Sequence, residues 1–113
     1  MNSPTLASIT FDCTDALVTA RFWSEVLRRP LPDDATADYV QLAGEPAWSF
    51  YAVPEPKRTK NRMHVDLDVA DLPGEVERLL TLGARRLGDF DELGFRWTTM
   101  ADPEGNEFDL VAA

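Results

Sequence analysis

The chain contains one histidine, His64, at the head of an alternating run, His64-Val65-Asp66-Leu67-Asp68-Val69. Strand residues alternate between faces. If the apolar Val65, Leu67 and Val69 turn inward, His64, Asp66 and Asp68 share the opposite face. Near the end of the chain Glu107 and Asp109 alternate in the same way with Phe108 and Leu110. An imidazole among carboxylates suits two kinds of chemistry. The imidazole can act as a general base, because its ordinary titration lies near neutrality. The carboxylates can pair with a cationic ligand. The same alternation adds Ser8, Tyr51, Tyr39 and Trp97, giving a candidate binding face of Ser8, Tyr39, Tyr51, His64, Asp66, Trp97, Glu107 and Asp109. His64 is the candidate catalytic residue. Nothing supports nucleophilic catalysis or phosphate cradling. No Ser/His/Asp or Cys/His spacing is present, and Gly83 and Gly88 stand alone.

These residues need strands to position them, and the strands come in two copies. Met63–Leu72 echoes Ala7–Ala16 at an offset of 56 residues, while Arg96–Ala101 echoes Asp38–Ala43 and Phe108–Val111 echoes Phe50–Val53 at 58. Such an offset over half the chain marks a repeated supersecondary unit. The first copy reads as a strand from Leu6 to Cys13, then a helix capped by Thr14 or Asp15. Its apolar stripe is Ala16, Ala20, Trp23 and Leu27, and Arg28 and Arg29 fall in the last turn. Pro30 and Pro32 end it. Tyr39–Ala43 and Trp48–Val53 read as strands. The second copy reads as a strand from His64 to Val69 and a helix with Asp71 as N-cap and Pro73 in its first turn. Gly83 falls at the C′ position. Strands follow over Arg85–Asp89, Phe95–Ala101 and Glu107–Val111, with a turn at Asp102-Pro103-Glu104-Gly105-Asn106.

The expected architecture is α+β: one domain over residues 1–113, with a first module at about 5–54, a proline-bounded linker at about 55–62 and a second module at about 63–112. Two such modules can form a curved, mixed sheet with helices on the outer face and a cup on the other. The linker holds four of the eleven basic residues, and in so acidic a chain it could close over an anionic ligand.

A formal net charge of −9 argues against nucleic acid or an anionic membrane as partner. No apolar run approaches membrane-spanning length. The opening residues show no secretory pattern, and a single cysteine, Cys13, makes no internal disulfide. A reducing, cytoplasmic setting is therefore expected.

Three stretches carry a family resemblance: His64–Asp71, Leu82-Gly83-Ala84, and Trp97 through Asp102-Pro103-Glu104-Gly105-Asn106 to Leu110. Together they resemble the vicinal oxygen chelate superfamily, and within it the small glyoxalase-like and bleomycin-resistance-like domains. The resemblance implies paired βαβββ modules and a homodimer. Metal-using members draw ligands from the first and last strands of each module, which here implies Ser8, Tyr51, His64 and Asp109. Of these only His64 and Asp109 suit a metal, and two ligands hold one weakly. Asp66 and Glu107 are expected about 7 Å along the strands from His64 and Asp109. Two readings stand. One is a metal-free protein that binds a small organic, cationic molecule in the cup, needing no cofactor. The other is a lyase, isomerase or dioxygenase-type enzyme with a divalent metal on His64 and Asp109.

Overall fold

Aspartates open both helices. In the computed structural model, which describes residues 3–113, the chain falls into two units, one ending at Pro56 and the other starting at Lys57. The first unit contains β1 (Ser8–Cys13), α1 (Ala16–Leu27), β2 (Tyr39–Leu42) and β3 (Ala47–Ala52). The second contains β4 (Asp66–Val69), α2 (Leu72–Thr81), β5 (Arg85–Glu92), β6 (Phe95–Ala101) and β7 (Glu107–Ala112). Asp15 accepts hydrogen bonds from the amides of Leu17 and Val18, and Asp71 accepts one from Gly74. Each carboxylate thus satisfies amides that the first helical turn leaves unpaired.

Both sheets are mixed. The first has the order β1-β3-β2, with β1 parallel and β2 antiparallel to β3. The second has the order β4-β7-β6-β5, with β4 parallel to β7 and antiparallel pairs beyond it. A parallel pair requires a crossover, and each helix lies within one. Each sheet buries one face under its own helix. Trp23 on α1 is fully buried, with its ring centroid 5.4 Å from Phe11 and 5.1 Å from Trp48. In the second unit Val76 and Leu79 of α2 are buried, as are Met100, Phe108 and Leu110 of the sheet. The fold is α+β, with two helices and seven strands among the described residues.

Four expectations change in detail. β1 begins at Ser8, and Leu6 is exposed. Helix α1 ends at Leu27, so Arg28 and Arg29 lie beyond its last turn; Arg28 is a left-handed C-cap, and Nη1 of Arg29 donates to the Pro46 carbonyl. Among the described residues the first unit has three strands where the resemblance implies four. Pro30 and Pro32 lack the N–H groups that a ladder in that stretch would use. Finally, β5 runs on to Glu92 and turns into β6 through Leu93 and Gly94, both at positive φ. This is the mirror-image turn whose twist suits a hairpin.

Candidate functional site

His64 lies just before β4, and its Nε2 is 3.3 Å from Oδ1 of Asp66 and 3.3 Å from Oδ2 of Asp109. Asp66 and Asp109 are register partners on the parallel β4–β7 ladder. Each of the three residues offers a ligand atom, and these atoms all lie within 4.8 Å of one another. The side chain of Asp109 is 16% exposed and that of Asp66 59% exposed. Asp109 has a further partner: Oγ1 of Thr99, its register partner on β6, donates to Oδ1 at 2.7 Å.

The nearness of His64 and Asp109 agrees with the sequence reading; the position of Asp66 corrects it. The spacing of about 7 Å along a strand applies to backbone atoms on one face. Between residues two apart, an imidazole and a carboxylate can lean toward each other and close that gap. The site therefore has three donor atoms where two were expected. One imidazole nitrogen and two carboxylate oxygens fit a small divalent cation. Bonds near 2.1 Å separate tetrahedral donors by roughly 3.4 Å, close to both observed N···O distances. All three residues come from one unit, which leaves other coordination positions open.

The ladders also correct the match between the copies. The amide of Val53 bonds the Cys13 carbonyl, and the amide of Ala113 bonds the Val69 carbonyl. Gln41 pairs with Ser49 across the first hairpin, and Thr99 with Asp109 across the second. The residue that occupies the Asp109 position in the first unit is therefore Ser49, not Tyr51. The whole difference lies in the turns: five residues, 43–47, separate the paired Leu42 and Trp48, whereas seven, 101–107, separate the equivalent pair Met100 and Phe108. A shift of two residues preserves every inward and outward assignment, so alternation alone could not reveal it.

Ser49 is buried and sits at the centre of a neutral cluster. Its hydroxyl lies 2.9 Å from that of Ser8, and it receives hydrogen bonds from Tyr39 Oη at 3.4 Å and Gln41 Nε2 at 3.3 Å. Hydroxyls and an amide thus occupy positions where the second unit carries His64, Asp109 and Thr99. Tyr51 is 54% exposed and lies outside this cluster.

Other candidates separate from the histidine. Glu107 pairs with Lys57 at 3.0 Å and accepts from the Asn61 amide, so it holds the basic segment instead of joining His64. Burial pushes the Glu107 carboxyl up, but hydrogen bonds from Lys57, its own backbone and Asn61, with the ammonium charge, outweigh burial and hold it below its usual value. Trp97 is half-buried and stacks on Phe90, with centroids 5.2 Å apart and an interplanar angle of 18°. Phe90 is the aromatic that the sequence reading missed, because acidic residues flank it on a strand that looked finished at Asp89. Trp97 stands two residues from Thr99 on β6, on the same face as the cluster. It also lines a cavity of about 400 Å³ with Leu72, Val76, Arg86 and Arg96, which His64, Asp66 and Asp109 do not line.

This repeated strand–helix–strand plan agrees with the resemblance to the vicinal oxygen chelate superfamily. Residues 8–111 match the family model described as a glyoxalase-like domain, and the chain belongs to that family. No curated protein sequence matches it. Among solved structures it is similar to a glyoxalase/bleomycin resistance protein/dioxygenase family enzyme from Burkholderia phytofirmans, with 15% identity, TM-score 0.79, and 96% of this chain and 98% of that one covered. It is also similar to the fosfomycin resistance protein FosX from Listeria monocytogenes, with 15% identity, TM-score 0.77 and coverage of 100% and 95%. Lactoylglutathione lyase from Agrobacterium tumefaciens is similar at 12% identity and TM-score 0.69, with coverage of 100% and 96%. No helix among the described residues is long and apolar enough to cross a membrane.

Proposed function

We propose that the chain is a small-molecule-binding glyoxalase-like protein whose site forms around a divalent cation held by His64, Asp66 and Asp109. The observation that carries this reading is the third donor: Asp66 joins His64 and Asp109 within 4.8 Å. A bound cation would polarise a carbonyl or hydroxyl oxygen of the ligand as a Lewis acid. The Trp97–Phe90 pair offers an aromatic surface for the apolar part of that ligand.

A second reading is binding of an organic cation without metal. It is favoured by Ser8 and Ser49, poor metal ligands at the positions matching His64 and Asp109. Calorimetric titration with nickel or zinc tests both readings. Micromolar or tighter binding that is lost in His64→Ala and Asp109→Asn supports the metal site. Absence of binding in the unsubstituted protein refutes it and leaves the metal-free reading.

A further inference from the structure

We propose that Thr99 is a positioning residue that sets the cation specificity of the His64–Asp66–Asp109 site, an inference that rests on the cation-holding reading above. Asp109 has two carboxylate oxygens, and the structure gives each a different partner. Oδ1 accepts the Thr99 hydroxyl at 2.7 Å, while Oδ2 lies 3.3 Å from the imidazole. Thr99 is β-branched, so its χ1 has few alternatives. It stands directly across the β6–β7 ladder from Asp109, so a rigid strand pair carries both ends of the hydrogen bond. Asp66, 59% exposed, has no comparable partner among the described residues beyond His64. Asp109 is thus the fixed carboxylate of the pair and Asp66 the adaptable one.

Commitment of Oδ1 to Thr99 has a chemical consequence. Asp109 presents Oδ2 to a cation most readily, because Oδ1 is already tied to Thr99. Calcium takes six to eight oxygen ligands, often through bidentate carboxylates, whereas smaller transition-metal ions accept fewer donors. Thr99 therefore biases the site toward small ions that take imidazole nitrogen and against calcium. The first unit repeats the arrangement with neutral groups. Gln41, at the Thr99 position, donates to Ser49, at the Asp109 position. A donor across the hairpin from the last-strand site residue is thus present in both copies.

The test uses the full chain with nickel and calcium alone as probes, in Thr99→Val, Thr99→Ala and Thr99→Ser, with His64→Ala as control. Loss of an outer partner of a metal ligand typically weakens binding by about 10–100-fold. Thr99→Val and Thr99→Ala should lose at least about tenfold in nickel affinity, while Thr99→Ser stays within about threefold. The nickel-to-calcium affinity ratio should fall in the valine and alanine variants and hold in the serine variant. The visible spectrum of the cobalt-loaded protein should change in the same two variants only. Nickel affinity unchanged in both the valine and alanine variants, or no recovery with serine, overturns the role of Thr99. If His64→Ala abolishes binding in that same experiment, the site survives and only the inference fails. If the unsubstituted protein takes up no nickel, or His64→Ala binds normally, both fall together.

Discussion

Trp23→Ala and Trp97→Ala should separate the core from the site face. Trp23 is fully buried, between Phe11, Phe22 and Trp48. A buried aromatic removes about 150–250 Å² from water, worth roughly 4–6 kcal/mol at 25 cal/mol per Å². Truncation retains the Cβ and permits some collapse, so the expected loss is about 3–5 kcal/mol. A domain of this size has about 5–15 kcal/mol in total, so Trp23→Ala should remove a large share of it. Trp97 is half-buried and its main ring partner is Phe90. Half that area is worth about 2–3 kcal/mol, so Trp97→Ala should cost about 2–3 kcal/mol, less than Trp23→Ala. Urea unfolding followed by far-ultraviolet circular dichroism suits both variants, since removal of a tryptophan disturbs fluorescence. A loss in Trp97→Ala equal to or greater than that in Trp23→Ala would refute the face assignment. It would also remove Trp97 from the ligand surface.

Glu107 is held below its usual carboxyl value, so its contribution is present above the ordinary value near 4.3 and is lost as pH falls through the lower folded value. Glu107→Gln should therefore cost about 1 kcal/mol near neutrality, with the gap to the unsubstituted protein closing in acid; a gap that widens in acid would contradict the ion pair with Lys57. Asp15→Ala should destabilise by about 1 kcal/mol through the exposed amides of Leu17 and Val18, and Asp15→Ser should recover most of it in the same thermal melt. Sedimentation equilibrium at micromolar concentration should give twice the 12.6 kDa chain mass; a monomer alone would end the homodimer expectation.

Local rules set much of this fold. Asp15 and Asp71 cap as their types require, Gly83 takes a positive φ of 108° after α2, and β7 hides Phe108 and Leu110. Alternation also placed His64, Asp66 and Asp109 on one face. What it could not provide was register. A period of two fixes a side chain's face but not its neighbour across the ladder, so Tyr51 stood in for Ser49. It also gives no reach for a side chain, so Asp66 looked remote from His64. Charge hid the end of β5: Asp89, Asp91 and Glu92 mask a strand whose apolar member is Phe90. Arg86 and Thr98 answer one of those charges, both bonding Asp89 and lowering its carboxyl.

The duplicated architecture keeps its chemistry and its stability on opposite sides of each sheet. Trp48 and Phe50 in one copy, and Phe108 and Leu110 in the other, fill equivalent buried seats. The intervening seats differ in kind: Ser49 stands where the other copy has Asp109, and Ser8 where it has His64. The seats on the open face can therefore differ in charge while the seats beneath them stay apolar. The chain also contains an internal comparison: a charged and a neutral version of one site, each on the same scaffold.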